Sequence, residues 1–185
     1  STDLPINEKE NTKKAKYGER KYLHGLPLDD LERGIEISNT LSSDIIEECR
    51  GDWGEINADA CFIFAQHGGG SAVCINLKGY ILTNSHCLDD NDEVSESAEE
   101  KLGKLRVLVS GKTGIIAHTE CIGCDVLMDV ALLQITKVYN KETEKWDNLK
   151  SRKKVSFSWM QLYTGSPYDS GDDVSLPAFP PYNST

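Results

Sequence analysis

The sequence predicts an all-β protein built as an antiparallel barrel or sandwich. Three observations indicate this class: the apolar runs are short and β-prone, turns containing glycine separate them, and no long helical period interrupts them. Two such runs flank an Asn-Leu-Lys-Gly turn between Gly68 and Leu88, a pattern typical of a β-hairpin. The second run ends in polar residues and His86, so a reactive side chain follows directly on a rigid strand. The rest of the chain is organised around this hairpin.

The composition favours a globular domain with polar extensions and argues against a nucleic-acid partner. Of 185 residues 38% are hydrophobic, and 20 Lys and Arg oppose 30 Asp and Glu, for a net charge of −10. A chain this acidic lacks the electropositive surface that binds phosphate backbones. No apolar run approaches the roughly 18 residues of a membrane-spanning helix, so we expect no transmembrane segment. The compartment is left open, because no signal peptide is visible and the first residue, Ser1, is compatible with processing.

We expect five segments along the chain. Residues 1–41 form a polar N-terminal extension without a sustained hydrophobic period, expected to lack regular structure or to lie on a partner. Residues 42–57 hold a short helix and a connector, because a capping serine there precedes acidic residues. Residues 58–136 carry the first set of strands, residues 137–154 form a charged surface connection, and residues 155–185 begin a second set of strands.

The strands of residues 58–136 are predicted from short apolar or alternating runs. Besides the hairpin, these runs are 60–65, 105–109, 115–118 and 130–135. The last is almost wholly apolar and follows Asp129 directly, which makes it the second informative feature of the chain.

Two features have the residue types of a metal site, and each has a simpler interpretation. The acidic stretch 89–100 offers oxygen ligands for calcium but lacks the regular ligand positions and turn glycine of an EF-hand, so a solvated loop is favoured. Cys121 and Cys124 form a lone C-x-x-C, and structural zinc needs two more ligands, so buried thiols or disulfide partners are favoured. Neither feature is therefore interpreted as a metal site. Disulfide connectivity among the six cysteines is left open.

His86 and Asp129 are the candidate catalytic residues. Histidine is the usual general base at neutral pH, and an aspartate that accepts its second ring N–H fixes the tautomer and stabilises the imidazolium. On a barrel of short strands, both residues lie at strand ends. Each also has a plain structural interpretation, since an isolated histidine is usually structural and an aspartate before a strand is usually a turn former.

The residues around this pair carry a family resemblance. Gly-Gly-Ser-Ala-Val at 69–73, Gly-Tyr-Ile-Leu-Thr-Asn-Ser-His at 79–86 and Asp-Val-Ala-Leu-Leu-Gln-Ile at 129–135 resemble trypsin-like serine proteases, most of all the HtrA/Deg branch. The resemblance implies a trypsin-like antiparallel double β-barrel, with the first barrel complete, the second one truncated and the active site in the cleft between them. It implies that His86 is the general base and that Asp129 orients it.

The sequence departs from this family at the nucleophile. The motif Gly-(Asp or Asn)-Ser-Gly-Gly-Pro is absent, and the nearest string, Asp169-Ser170-Gly171, lacks the glycines that form an oxyanion hole. Ser170 also follows Asp129 too soon for the strands that precede the serine in this fold, so it is interpreted as a turn residue.

Cys87 resembles the half-cystine beside the histidine of animal trypsins, with Cys61, Cys74 and Cys121 as open candidates for its partner. Because it adjoins the base on the same strand end, Cys87 is expected to point away from His86.

Three functions follow, in decreasing order of support. The first is a trypsin-like serine endopeptidase acting on proteins or peptides, whose serine comes from sequence beyond this chain or from a second chain. For this function we expect no metal and no organic cofactor. The second is a non-catalytic protease-like module that serves as an interaction or assembly subunit. The third is a small zinc or redox protein that uses Cys121 and Cys124.

Overall fold

The computed structural model describes residues 22–23, 26–41, 60–66, 70–89, 97–111, 113–149, 157–167 and 169–171. These residues are mostly β-structure. The elements, in chain order, are β1 (Tyr22–Leu23), β2 (Leu26–Pro27), α1 (Leu28–Leu41), β3 (Cys61–Phe64), β4 (Ser71–Cys74), β5 (Tyr80–Thr83), a 3₁₀ helix (Ser85–Leu88), α2 (Ala98–Lys101), β6 (Leu105–Ser110), β7 (Ile116–Asp125), β8 (Val130–Asn140) and β9 (Lys145–Asn148). Within this part of the chain, no helix is both long and apolar enough to cross a membrane.

Six antiparallel strands form a closed barrel. Their order is β5-β4-β3-β6-β7-β8, and β5 pairs with β8 to close the ring, while β9 extends the sheet beyond β8. The strands β4 and β5 alternate between buried and half-buried residues, as expected when one face of a strand lines the barrel interior. The barrel predicted from the sequence is therefore confirmed, as are the hairpin and the runs 60–65, 105–109 and 130–135 as strands.

Two hydrophobic clusters occupy the two faces of the barrel wall. One fills the interior and includes Phe62, Phe64 and Leu133. The other lies on the outer face, where Ile63 and Val107 pack with residues of α1. Every residue of β3 is buried, because the barrel interior covers one face of this strand and the second cluster covers the other.

Helix α1 corrects the expectation that residues 1–41 lack regular structure. Its buried face consists of Leu31, Gly34, Ile37 and Ser38, which recur at helical spacing. Only two of these four residues are large and apolar, so the hydrophobic period is weak in the sequence. The small residues let the helix approach the barrel closely: a Cβ added at Gly34 would lie 3.1 Å from a methyl group of Val107. The rest of segment 1–41, apart from the short strands β1 and β2, lies outside the described residues.

The charged connection expected at 137–154 is in part a β-hairpin. Strand β8 continues to Asn140 and pairs with β9, with Tyr139 opposite Trp146. These two rings meet edge to face, with centroids 5.3 Å apart. Three of the charged residues that suggested a loop lie in the turn 141–144, where they are exposed, and Lys137, Lys145 and Asp147 lie in the two strands.

Other expectations lie partly or wholly outside the described residues. The short helix expected within 42–57 lies outside them, as do most of the acidic stretch 89–100 and residues 172–185. Residues 157–167 and 169–171 form no strand, although Phe157 is buried against the barrel core and the N–H of Met160 donates to the carbonyl of Cys74 at 2.8 Å. The start of a second barrel in 155–185 stays a prediction.

Gly114 provides a test of how α1 is attached to the barrel. It has φ +62°, and its carbonyl accepts a hydrogen bond from Ser38 Oγ. A Cβ added at Gly114 would lie 2.6 Å from Ser38 Oγ and 3.1 Å from the carbonyl oxygen of Ser38. We expect Gly114→Ala to lower the free energy of unfolding in urea by about 1–3 kcal/mol more than Gly103→Ala. Gly103 is a matched control, because it has φ +74° but an added Cβ there meets nothing closer than 3.8 Å. Equal losses would show that the contact with α1 contributes nothing.

Candidate active site

Strand pairing brings His86 and Asp129 to the same rim of the barrel. In the antiparallel pair β5–β8, Thr83 lies opposite Ala131. The residues that follow β5 therefore meet those that precede β8. His86 lies in the 3₁₀ helix Ser85–Leu88, hereafter the His86 turn, and Asp129 is the last residue of the turn that leads into β8.

Local hydrogen bonds fix the backbone on the Asp129 side. Asp129 has φ 53°, in the left-handed region, which Asp tolerates better than most residues. Its N–H donates to the carbonyl of Val126 at 3.3 Å, and the N–H of Met128 donates to Asp125 Oδ1 at 2.9 Å. From the opposite side, Asn84 Nδ2 donates to the carbonyl of Asp129 at 2.9 Å. These hydrogen bonds fix the main chain of Asp129 without involving its carboxylate.

The Asp129 carboxylate contacts His86 through both of its oxygens. Oδ2 lies 2.7 Å from His86 Nδ1, and Oδ1 accepts hydrogen bonds from the backbone N–H of His86 at 2.9 Å and from Ser85 Oγ at 3.0 Å. A carboxylate next to Nδ1 favours the tautomer that carries its proton there, which leaves the Nε2 lone pair available to accept a proton. This arrangement has the geometry of a general base with its orienting acid.

These contacts keep Asp129 ionised. The hydrogen bond from the backbone N–H of His86, followed by the contact with its ring, lowers the pKa of Asp129 to about 2 from an ordinary value of 3.8. The pair is nevertheless open to solvent, with the His86 and Asp129 side chains 67% and 42% exposed. Hydrogen bonding to the charged form, rather than charge attraction in a dry interior, therefore accounts for the shift.

Cys87 does not point away from His86, contrary to the expectation from sequence. Its Sγ lies 3.9 Å from His86 Nε2. Burial is the main reason why the pKa of this thiol is raised, and the Asp129 carboxylate adds to the effect. A raised pKa disfavours the thiolate, which is the nucleophilic form, so the environment does not activate Cys87. The five cysteines among the described residues, Cys61, Cys74, Cys87, Cys121 and Cys124, are free thiols.

The sequence interpretation assigned no role to Asn84 or Ser85, although both lie in the motif that it used. Asn84 holds the backbone of Asp129 and Ser85 holds the carboxylate. Their position directly before the histidine was the available signal, because a polar pair at a strand end has little reason to be there unless it makes hydrogen bonds.

Ser170 lies in an exposed turn, as expected. Where side chains are described, no group of three or more His, Cys, Asp or Glu is arranged to hold a metal.

Comparison with known proteins assigns the family. A family model described as a trypsin-like peptidase domain matches residues 70–185. The chain belongs to the trypsin-like peptidase family. The predicted family and the trypsin-like fold are thereby confirmed.

Similar proteins come from the HtrA/Deg type of this family. The chain is 26% identical over 106 residues to the serine endoprotease DegS of Escherichia coli strain K12, and equally to that of strain O157:H7. Each alignment covers 57% of this chain and 25% of the relative, so the chain spans about a quarter of the length of the curated relatives that it matches. Among solved structures, the serine endoprotease from Yersinia pestis is 27% identical, with coverage of 44% of this chain and 27% of that one and a TM-score of 0.33.

The lowered pKa of Asp129 predicts a pH-dependent contribution to stability. Because the folded-state value, about 2, lies below the ordinary value of 3.8, the ionised carboxylate stabilises the fold above pH 3.8, and this contribution is lost as the pH falls toward 2. We therefore expect wild type to be more stable than Asp129→Asn near neutral pH, with a difference that shrinks between these two values. Urea unfolding across this range, together with a ¹³C NMR titration of the Asp129 carboxyl, measures both quantities. A difference that does not change with pH would contradict the assignment.

Proposed function

We propose that this chain is the part of a trypsin-like serine endopeptidase that carries the general base, and that the nucleophilic serine lies outside the chain. The observation that supports it most strongly is the His86–Asp129 pair. The carboxylate holds Nδ1 at 2.7 Å and accepts two further hydrogen bonds, while the imidazole stays 67% exposed. A histidine used only for structure has no need of an aspartate that contacts both its ring and its backbone N–H and is itself held by Ser85 on an open rim.

In the proposed reaction, His86 first accepts a proton from the serine and then donates it to the leaving group. Nε2 accepts the hydroxyl proton as the serine oxygen attacks the peptide carbonyl, and Asp129 stabilises the resulting imidazolium. His86 then gives that proton to the leaving amine, which breaks the peptide bond and leaves an acyl-enzyme. Water, deprotonated by the same nitrogen, hydrolyses the ester and restores the serine. No metal or organic cofactor takes part in this scheme.

The nucleophile and the oxyanion hole are assigned to sequence that follows this chain or to a second chain. No Gly-x-Ser-Gly string occurs among the 185 residues. The relatives named serine endoproteases are matched over 25% of their length, so the remaining three quarters of such a protein have no counterpart in the alignment. A protein or peptide is the proposed substrate, bound in a cleft that this barrel forms only in part.

The alternative is a protease-like module without catalytic activity, which serves as an interaction or assembly subunit. The missing serine motif is the observation that favours it. Such a module is free to lose the hydrogen bonds that orient the histidine, yet all three are present. Proteolysis is therefore the better-supported function.

Active-site labelling tests the proposal on the complete natural protein. We expect a fluorophosphonate probe to label one serine covalently and peptide hydrolysis to be measurable. His86→Ala and Asp129→Asn are each expected to lower kcat by about 10⁴-fold, because the first removes the base and the second removes the anion that fixes its tautomer.

His118→Gln is the matched control. This histidine is buried on β7, where its Nδ1 contacts Thr136 Oγ1 on β8. Thr136 lies about 20 Å along β8 from Asp129, so the substitution is remote from the site. We expect its kcat to stay within about threefold of wild type. If the folded complete protein is not labelled and hydrolyses no peptide, the non-catalytic module replaces the endopeptidase.

A further inference from the structure

The carbonyl groups of the His86 turn are all taken by hydrogen-bond donors. The carbonyl of His86 accepts from the backbone N–H of Asp89 at 3.1 Å, as is usual in a 3₁₀ turn. The other three accept from side chains of other segments: Lys101 Nζ donates to Ser85 at 3.0 Å, Gln66 Nε2 to Cys87 at 3.2 Å and Arg106 Nη2 to Leu88 at 2.7 Å. Two of these donors belong to charged side chains that are almost fully buried, Lys101 at 1% and Arg106 at 8% exposure.

Lys101 connects the two ends of the His86 turn. Besides its bond to the carbonyl of Ser85, its ammonium lies 3.0 Å from Asp89 Oδ1, in an ion pair rather than a well-directed hydrogen bond. Ser85 is the first residue of the turn and Asp89 follows its last residue. One buried charge thus holds the chain on both sides of His86.

The backbone around Lys101 is itself fixed to the barrel. Lys101 is the last residue of α2, whose first turn is closed by reciprocal hydrogen bonds between Ser97 and Glu100. Directly after α2, the N–H of Gly103 donates to the carbonyl of Cys121 at 2.8 Å, and the N–H of Cys121 donates to the carbonyl of Lys104 at 3.0 Å. The ammonium therefore projects from a segment anchored on β7, independently of the turn that it contacts.

A buried ammonium is not explained by stability alone. Removing a charge from water is costly, and apolar side chains of similar size often stabilise a fold equally well or better. What an apolar residue cannot do is donate a hydrogen bond in a fixed direction. Here that direction matters, because Ser85 receives the bond from Lys101 through its carbonyl and donates to Asp129 through its hydroxyl.

We propose that Lys101 is a positioning residue for the base: it holds the His86 turn so that the N–H and ring of His86 and the hydroxyl of Ser85 all face Asp129. This role rests on the proposed function, in which His86 is the base. Lys101 contacts neither His86 nor Asp129 directly and acts through Ser85 and Asp89. Displacing the turn would move the imidazole out of the geometry that Asp129 fixes, and Lys101, at 1% exposure, is not placed to contact a substrate itself.

The test compares three variants in the complete protein. Lys101→Met keeps the length and volume of the side chain but removes the donor, Lys101→Arg keeps a cation that can donate, and Ile37→Ala weakens the packing of α1 on the opposite face of the barrel wall. We expect Lys101→Met to lower kcat, per active site titrated with a fluorophosphonate, by about 10- to 100-fold, with KM within about threefold of wild type. Lys101→Arg recovers most of that loss, and Ile37→Ala leaves kcat per titrated site unchanged despite its lower melting temperature.

A second readout does not depend on catalysis. In ¹H and ¹⁵N NMR spectra of the complete protein, the low-field proton shared by His86 Nδ1 and Asp129 is identified by its absence from His86→Ala. We expect this resonance to be shifted or lost in Lys101→Met and unchanged in Ile37→Ala. If wild type hydrolyses no peptide, the proposed function fails, and the resonance in Lys101→Met then tests separately whether Lys101 holds the contact between His86 and Asp129.

Two results would overturn the proposal. One is a folded Lys101→Met with the kcat per titrated site of Ile37→Ala, and the other is an unperturbed Nδ1 proton in that variant. If Lys101→Met does not fold, the double variant Lys101→Met/Asp89→Leu replaces it, because removing both charges leaves no unpaired buried carboxylate. The same loss of kcat and the same NMR change are expected of the double variant, and their absence would overturn the proposal equally.

Discussion

The pairing of β5 with β8 is the interaction on which the rest of the structure depends. It closes the barrel, and its register places Thr83 opposite Ala131, so that the residues after one strand meet those before the other. A slip of one residue would turn Leu133 and Ile135, both buried in the barrel interior, toward the outside. The hydrophobic core therefore fixes the register, and the register fixes the contact between His86 and Asp129. A register that separated His86 from Asp129 would therefore also expose apolar side chains of the core.

Around this contact, the supporting bonds differ in how far they are exposed to water. The pair itself lies on an open rim, where solvent weakens the attraction between charges, and short hydrogen bonds hold the carboxylate in place. Beneath it, Lys101 and Arg106 are buried and hold the carbonyl groups of the His86 turn. An exposed reactive side chain on a turn whose carbonyl groups are all hydrogen-bonded can reach a substrate without losing its orientation. In the proposed enzyme, a bound substrate would exclude water and strengthen the interaction between His86 and Asp129.

Particular elements show which parts of the fold can be predicted from the sequence. Runs such as 60–65 and 130–135 were recognisable because strands buried in a barrel wall are continuous or alternating in apolar residues. Helix α1 was missed because Gly34 and Ser38 occupy half of its buried face, where close approach to the barrel matters more than apolar area. The β8–β9 hairpin was missed because charged residues fill its exposed turn, while the ring contact of Tyr139 with Trp146 stabilises it. Both errors arise where a long-range contact outweighs local composition.

The sequence by itself determined most strands of the barrel, the family and the identity of the two candidate catalytic residues, because short-range patterns and motif order carry that information. Only the tertiary structure decided that the two residues touch, since their distance depends on the β5–β8 register. It also decided the surroundings of Cys87, whose sulfur lies 3.9 Å from Nε2 because the chain turns tightly after β5. Lys101 is the clearest case. In a stretch rich in glutamate it has the sequence context of a surface residue, and its burial is tolerated only because the carbonyl of Ser85 and the carboxylate of Asp89 replace the water that its ammonium loses.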